Sequence, residues 1–254
     1  MREVKTIEVC TSPELVPFYG VEGKVVVVVD ILRATSCMTT ALAFGMKSII
    51  PVATIEECRA YKEKGYLAAA ERDGKTVEGF DFGNSPYTYM DSSFKGKKLA
   101  VTTTNGTLAI TKSKNAHKVI IGSFLNLSSV TNYLMQQDRD VLIVCSGWKG
   151  KLNLEDTVFA GAIIDIVKDT FNTDNDSAIA AYALYDLVRK DIKGFLKKAS
   201  HVKRLKGLNI KRDIIYCLQV DLYNVLPELQ GDELVAMPTQ TTHNTILRKV
   251  ASGV

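Results

Sequence analysis

Short apolar runs alternate with segments of helical periodicity over the first two thirds of the chain. The apolar runs have the length of strands and are rich in Val and Ile, whereas the segments after them begin with capping residues. The predicted strands cover residues 24–29, 48–53, 66–70, 97–104, 117–123 and 140–147. The predicted helices cover residues 35–45, 54–65, a short segment after 104, 126–137 and 154–169. This alternation predicts an α/β fold with a mostly parallel or mixed sheet covered by helices.

Two of the predicted helices carry local start and stop signals. Thr54 and Glu57 have the T-x-x-E spacing of a capping box, and Gly65 follows the last helical position. In the unit before it, Thr35 or Ser36 is the predicted helix cap.

The C-terminal third has a different pattern and predicts a helix-rich portion. Residues 176–206 form a long helical tract of one or two helices. Residues 212–221 are either a strand or a helix, since short apolar runs do not distinguish the two. Residues 1–254 are predicted to form a single unit, and a subdivision near residue 170 into an N-terminal catalytic part and a C-terminal part is the alternative.

Composition narrows the class of protein. Of the 254 residues, 46% are hydrophobic and 24% are charged, and a formal net charge of +4 is too small to indicate a nucleic-acid-binding protein, although it favours anionic ligands. No apolar stretch approaches the roughly 20 residues that cross a bilayer, and the first ten residues lack the apolar core of a signal peptide. We therefore expect a cytoplasmic protein with no membrane or nucleic-acid partner. Five scattered cysteines without a C-x-x-C pair predict reduced, mostly buried thiols.

Polar residues gather where the predicted strands end. Ligands bind outside the carboxyl ends of the strands in an open parallel sheet, so these positions are expected to meet at one edge. They are Asp30, Glu71 and Arg72, residues 102–107, Ser123 and residues 146–150. Asp30 follows five valines, and a carboxylate beside such a buried strand needs a cation, a metal ion or several hydrogen-bond donors. We therefore favour a functional role for Asp30.

Acidic residues also open one predicted helix. Glu155 and Asp156 occupy its first turn, where they interact favourably with the helix macrodipole. With Asp30 they would supply the carboxylate oxygens that Mg²⁺ prefers in proteins. The sequence thus predicts a Mg²⁺ site formed by Asp30, Glu155 and Asp156.

Hydroxyl groups and a turn near these acids have two interpretations. Residues 102–107, "TTTNGT", would wrap backbone N–H groups around a phosphate at a helix N-terminus, although Asn-Gly is also a common turn. For Thr35, Ser36 and Thr107, helix capping explains the residue type as well as substrate binding does.

Four motifs, in this order, carry a resemblance to a known family. They are "DILRATS" (30–36), "ERDGKTVEGFDFGNSP" (71–86), "TTTNGT" (102–107) and "SGWKGKLNLEDTVFAG" (146–161). Together they resemble the 2-phosphosulfolactate phosphatase family over about residues 25–161, and "DLYNVLPEL" (221–229) fits the family's pattern. The resemblance implies Mg²⁺-dependent hydrolysis of (2R)-2-phospho-3-sulfolactate to 3-sulfolactate and phosphate, a step toward coenzyme M.

Under this hypothesis Asp30 and Asp156 are the catalytic residues. The predicted substrate-binding residues are Arg33, Thr35, Ser36, Arg72, Asn84, Thr104, Asn105, Gly106 and Thr107. Arginine suits the role because its planar guanidinium binds phosphate or sulfonate through two parallel hydrogen bonds. Two arginines would serve a substrate with a sulfonate and a carboxylate beside its phosphate.

Asp30 has a second candidate role, as a covalent nucleophile. The D-x-D pattern of haloacid-dehalogenase phosphatases is absent, because Leu32 occupies its second acidic position. The C-x5-R pattern of cysteine phosphatases is absent as well, because the sixth residue after Cys145 is Lys151. No G-x-x-x-x-G-K-[ST] motif indicates a nucleotide triphosphatase.

Other candidates have simpler explanations. His117, His201 and His243 are not spaced as a metal cluster and are predicted to be surface or capping residues. Trp148 either lines a pocket or packs in the core. The basic run from Lys197 to Arg212 is typical of a solvated face. If that run is instead an interaction surface, the protein is a non-enzymatic anion- or nucleic-acid-binding module. A third alternative is a phosphatase that acts on another small phosphorylated hydroxy acid. A homo-oligomer is left open.

Overall fold

The computed structural model describes residues 4–205 and 210–237. The strands of this part of the chain are β1 (Ile7–Cys10), β2 (Val25–Val29), β3 (Ser48–Pro51), β4 (Leu67–Arg72), β5 (Lys75–Thr76), β6 (Lys98–Thr102), β7 (Lys118–Gly122), β8 (Val141–Cys145), β9 (Leu226–Gln230) and β10 (Glu233–Met237). The helices are α1 (Val16–Tyr19), α2 (Ala34–Ala43), α3 (Ile55–Glu63), α4 (Gly106–Lys112), α5 (Leu127–Met135), α6 (Leu154–Val167), α7 (Asp176–Val188), α8 (Ile192–Leu196), α9 (Ser200–Leu205) and α10 (Lys211–Cys217). The predicted α/β fold with a mixed sheet is confirmed.

The strands form one sheet in the order β1-β8-β2-β7-β9-β10-β3-β6-β4-β5. Strands β1, β8, β2 and β7 are parallel and form the first block, and strands β3, β6 and β4 are parallel and form the second block. The antiparallel hairpin β9–β10 lies between the blocks, where Glu228 pairs with Ile120 and Leu234 pairs with Ile49. The C-terminal end of the described chain therefore occupies the middle of the sheet.

The two blocks run in opposite directions along the sheet. Three successive antiparallel pairings, β7 with β9, β9 with β10 and β10 with β3, separate them. Adjacent strands twist by roughly 20–25°, and six steps lead from β2 to β4 in the strand order. A twist of this size over six steps is enough to turn the carboxyl ends of the second block back toward those of the first. Side chains from both blocks consequently line one cavity, although the sheet is not a simple parallel one.

The five valines of β2 are buried on both faces of the sheet. Val25, Val27 and Val29 belong to a core cluster with α5, α6 and α7, whereas Val26 and Val28 belong to a second cluster with α2 and α4. This burial is what the uninterrupted apolar run predicts.

Several predicted elements are confirmed and others need correction. The capping box of Thr54 and Glu57 forms at the start of α3. The predicted cap of α2 is wrong, because the helix begins at Ala34 with Arg33 at the N-cap, so Thr35 and Ser36 lie inside its first turn. The tract from residue 176 divides into three helices as far as it is described, and the ambiguous segment after residue 211 is helical.

The cysteine prediction is also confirmed, since all five cysteines are buried and free. Within the two described ranges, no helix has the length and apolar character that crossing a bilayer requires. The subdivision near residue 170 stays a prediction. His243 lies outside the described residues.

Candidate active site

A cavity of about 100 Å³ lies among the strand ends and the helices after residue 190. Among the predicted site residues, those that line it are Asp30, Arg33, Asn84, Thr104 and Asn105. The other polar or aromatic side chains of the lining include Glu71, Asp73, Trp148, His201 and Arg204. The predicted residues outside this lining are Thr35, Ser36, Arg72, Gly106, Thr107, Glu155 and Asp156. We call Asp30, Glu71 and Asp73 the acidic side of the cavity, and Arg33, His201 and Arg204 its basic side; the names refer to residue chemistry, because Arg33 also contacts Gly74 next to Asp73.

Asp30 and Glu71 come from different blocks of the sheet. Asp30 follows β2 and accepts a hydrogen bond from the backbone N–H of Ala34 at 3.3 Å. Burial raises the pKa of Asp30 to about 6, and the neighbouring His201 opposes this rise. Glu71 lies in β4 and accepts hydrogen bonds from the backbone N–H groups of Gly74 and Thr104. The acidic side is thus held largely by the main chain.

Asp156 lies beneath the cavity and connects two strand ends. Its two carboxylate oxygens accept hydrogen bonds from the backbone N–H groups of Ile31, at 2.9 Å, and Gly147, at 3.2 Å. Burial raises the pKa of Asp156 well above its ordinary value, and the charges of Glu155 and Asp30 raise it further. Through these two hydrogen bonds, Asp156 connects the segment after β2 with the segment after β8.

Glu155 lies beside Asp156 at the start of α6 and faces the basic side. Its Oε1 atom pairs with the Nδ1 atom of His201. Its Oε2 atom is buried and has no hydrogen-bond partner among the residues that the structure describes. A buried carboxylate oxygen without a partner carries a free-energy cost, which a bound cation or water would relieve.

The carboxylates fit a Mg²⁺ ion only as a small ligand set. Within the described part of the chain, no group of three or more His, Cys, Asp or Glu side chains is arranged to hold a metal ion. The predicted set of Asp30, Glu155 and Asp156 therefore does not form a three-ligand cluster. Mg²⁺ commonly takes one or two carboxylates and completes its coordination with water and substrate phosphate. Asp30 lines the cavity, and Glu155 is close enough to raise the pKa of Asp30, so these two carboxylates are the candidates for such a smaller set.

The two predicted arginines have different surroundings. Arg33 is buried and forms an ion pair with Asp213 of α10, and it also donates to the carbonyl oxygen of Gly74 at 3.3 Å. Arg72 lies outside the cavity lining and donates to the hydroxyl of Thr102 at 3.0 Å. Asp213 therefore largely compensates the positive charge of Arg33, and Arg72 does not bring its positive charge to the cavity.

Three side chains of the cavity meet around Trp148, as its pocket-lining alternative predicts. The ring of His201 lies 6.0 Å from the Trp148 ring, and the guanidinium carbon of Arg204 lies 4.4 Å from the centre of that ring. The prediction of His201 as a surface or capping residue is wrong, because its side chain is buried against Glu155. The basic run is likewise not only a solvated face, since Arg204 lines the cavity. The helical i,i+3 spacing of His201 and Arg204 is the sequence signal that places both on one face.

The hydroxyl groups near Asp30 bind to the main chain. The Thr35 hydroxyl accepts from the N–H of Asp30 at 3.0 Å and lies 2.9 Å from the Asp30 carbonyl oxygen, and the Ser36 hydroxyl donates to the Ile31 carbonyl oxygen at 2.9 Å. Both side chains are fully buried. As placed, they brace the turn that carries Asp30, and their contact with substrate stays a prediction.

The turn before α4 is also connected internally. The Thr103 and Thr107 side chains each accept a hydrogen bond from the other residue's backbone N–H. A Cβ atom on Gly106 would lie 2.9 Å from Oδ2 of Asp30 and 2.7 Å from Cβ of Ala34. Glycine is therefore required here for the close approach of α4 to Asp30. Phosphate binding by this turn stays a prediction.

Comparisons with known proteins agree with the four motifs. Residues 10–232 match the family model described as 2-phosphosulpholactate phosphatase. Relatives named probable 2-phosphosulfolactate phosphatase include a Caldanaerobacter subterraneus protein, 40% identical over 82% of this chain and 88% of its own length. A Clostridium acetobutylicum protein is 39% identical over 90% of this chain and 99% of its own length. A Thermotoga maritima protein is 41% identical over 85% of this chain and 93% of its own length. With similarity at this level over most of its length, the chain belongs to the 2-phosphosulfolactate phosphatase family.

Proposed function

We propose that this protein is a phosphoric monoester hydrolase that converts 2-phospho-3-sulfolactate to 3-sulfolactate and phosphate. The names of its relatives support this reaction. The observation that carries the proposal is a small cavity whose lining combines the carboxylates Asp30, Glu71 and Asp73 with the basic side chains Arg33, His201 and Arg204. Its volume of about 100 Å³ is below the roughly 300–1,000 Å³ of pockets for larger ligands, so a compact ester suits it better than a nucleotide.

Mg²⁺ is the cofactor that we propose, with Asp30 and Glu155 as its protein ligands. The unpartnered buried oxygen of Glu155 supports this choice. When bound, Mg²⁺ would neutralise phosphate charge and orient the phosphoryl group. Asp156 would keep the ends of β2 and β8 at a fixed separation through its two backbone hydrogen bonds.

The protein side chains would supply positioning, charge and a proton acceptor. Hydrolysis forms a bond from a water oxygen to phosphorus and breaks the bond from phosphorus to the ester oxygen. A carboxylate of the lining, with Asp30 as the first candidate, would accept the proton of the attacking water. Asp30 as a covalent nucleophile remains the alternative. Asn84, Thr104 and Asn105 would bind substrate oxygens from their places in the lining.

Phosphate release from two esters, with Mg²⁺ or with EDTA, tests the proposal. Phosphosulfolactate should be preferred over phospholactate by at least about tenfold in kcat/KM, because a hydrogen bond to a charged group contributes roughly 1.5–3 kcal/mol. Full turnover in EDTA would contradict the Mg²⁺ assignment. Equal hydrolysis of both esters would instead indicate a phosphatase for small phosphorylated hydroxy acids.

The wider setting of the reaction is also proposed rather than observed. A cytoplasmic location, a role in coenzyme M formation and a homo-oligomeric state remain predictions. Binding that weakens steeply with salt, without turnover of any ester, would favour the anion- or nucleic-acid-binding alternative.

A further inference from the structure

The side chains of the basic side differ in how far contacts with carboxylates already engage them. Arg33 is paired with Asp213, and His201 is paired with Glu155. Arg204 donates to the neutral Ser200 hydroxyl at 3.3 Å. Over residues 4–205 and 210–237, no carboxylate forms an ion pair with Arg204. Arg204 thus brings to the cavity a positive charge that no described carboxylate contacts directly, and Glu155 acts on it only from a distance.

Trp148 fixes where this charge lies. The guanidinium carbon of Arg204 is 4.4 Å from the centre of the Trp148 ring, a distance at which cation–π attraction is effective. The backbone of Trp148 is itself held, because its N–H donates to the Lys151 carbonyl oxygen at 2.7 Å and its carbonyl accepts from Lys151 at 3.0 Å. Contact with a held ring reduces the conformational freedom that Arg204 would lose on binding an anion.

The charges of the lining act differently on the anionic groups of a ligand. Close to Asp30, Glu71 and Asp73 a further anionic group would be repelled unless a cation intervenes. Arg204 is an exposed residue of the same lining and attracts an anion. A ligand whose phosphate is at the acidic side with Mg²⁺ would therefore direct another anion toward Arg204.

We propose that Arg204, held against Trp148, binds the sulfonate of the substrate and determines selectivity for it. The inference rests on the proposed function, because that function supplies a ligand with a sulfonate. A sulfonate remains ionised throughout the pH range of an assay and offers several oxygens to the two parallel donors of a guanidinium. The guanidinium is weakly hydrated, as is a sulfonate, so little hydration is lost when the two pair at an exposed site. Arg72, the other sequence candidate, lies outside this cavity lining.

The kinetic test compares phosphosulfolactate with phospholactate, which keeps the carboxylate and lacks the sulfonate. Arg204→Met should lower kcat/KM for phosphosulfolactate roughly 10- to 150-fold, chiefly through KM. The same variant should change phospholactate hydrolysis far less. Arg204→Lys should recover part of the loss, and Trp148→Leu should produce a smaller loss with the same substrate dependence.

Lys203→Met is the matched control, because Lys203 is an exposed neighbour of Arg204 on α9 and its replacement removes the same charge. It should leave the preference between the two esters unchanged. Equal slowing of both esters by Arg204→Met, or no slowing of either, would overturn the proposal. Equal slowing would assign Arg204 to the carboxylate or to the phosphate, which both esters share.

Direct binding separates this inference from the proposed function. Calorimetric titration with 3-sulfolactate should show a dissociation constant roughly 10- to 150-fold weaker for Arg204→Met than for the unmodified protein. That result would support the sulfonate site even if phosphosulfolactate were not hydrolysed, in which case the proposed function alone would fail. Equal affinity of both proteins for 3-sulfolactate, or no measurable binding by the unmodified protein, would overturn the inference.

Discussion

The two sides of the cavity are built in different ways. On the acidic side, Asp30 and Glu71 are placed by strand ends and held by backbone N–H groups of nearby residues. On the basic side, Arg33 is held by an ion pair with Asp213 and His201 by a hydrogen bond with Glu155, and both partners are far away in sequence. Placement by the backbone depends on local sequence, whereas placement by a buried ion pair depends on the packing of distant helices.

This contrast leads to different expected responses to substitution. Changes on the acidic side should affect the reaction more than the fold, because the main chain there is braced independently. Changes at the ion pairs of the basic side should affect stability first, because a buried charge would lose its partner.

The largest expected effect is on the basic side. Asp213→Leu should lower the free energy of unfolding by about 3–5 kcal/mol, because it leaves the buried guanidinium of Arg33 without its partner. Urea denaturation followed by circular dichroism would measure the loss. The double substitution Arg33→Met with Asp213→Leu should recover much of the stability, since neither buried charge remains. A loss below about 1 kcal/mol for the single variant would show that Arg33 does not depend on this pair.

A slightly smaller effect in free energy is expected on the acidic side. Asp30→Asn should reduce kcat/KM roughly 100- to 1,000-fold, a loss typical of removing one preorganised electrostatic group from an active site. Steady-state phosphate release at several Mg²⁺ concentrations would measure it, and partial rescue by excess Mg²⁺ would indicate a ligand role. Asp186→Asn, at an exposed position on α7, is the control and should keep full activity. A loss below about tenfold would contradict a central role for Asp30.

The next effect concerns Asp30 of the acidic side, whose raised pKa makes the stability of the protein depend on pH. Burial raises the pKa of Asp30 to about 6 in the folded protein, above the roughly 3.9 of an unfolded chain. The folded state therefore binds this proton more tightly, and in EDTA the contribution to stability is lost as pH rises from about 4 through 6. Thermal unfolding between these pH values would show a falling Tm.

Two further measurements check this assignment. Asp30→Asn should flatten the pH dependence, and Mg²⁺ at neutral pH should raise the Tm of the unmodified protein more than that of the variant. A Tm in EDTA that rises with pH over the same interval would contradict the raised pKa of Asp30.

The smallest effect is expected away from both sides of the cavity. Thr54→Ala removes the capping box of α3 and should lower stability by about 1 kcal/mol. Because α3 begins outside the cavity lining, kcat/KM should not change. A several-fold loss of activity would show that the second block transmits a change at this helix to the cavity.

The sequence predicts what depends on local pattern. The strands β2, β3, β4, β6, β7 and β8 follow from apolar runs, and Asp30 follows from a carboxylate placed directly after one of them. The capping box of Thr54 and Glu57 also involves neighbours only. Family membership follows from four motifs within the first 161 residues.

What the sequence does not predict depends on long-range packing. The partner of Arg33 is 180 positions away, so the compensation of its charge has no local signal. The burial of His201 requires α9 to pack against the start of α6. Strand β1 and the hairpin β9–β10 escape prediction because glutamates within β1 and β9 and at the start of β10 leave only short apolar runs. The opposite strand direction of the second block follows from that hairpin, so the sequence does not predict it either.

The central position of the hairpin β9–β10 has a consequence for biosynthesis. A ribosome releases residues 226–237 long after both blocks have emerged, so β7 and β3 must wait for their neighbours. During that interval each presents a row of unpaired backbone groups, which is a template for association with other chains. A nascent chain that pauses shortly before the hairpin is made is therefore at its most vulnerable to aggregation, and protection by a chaperone would matter most at this point.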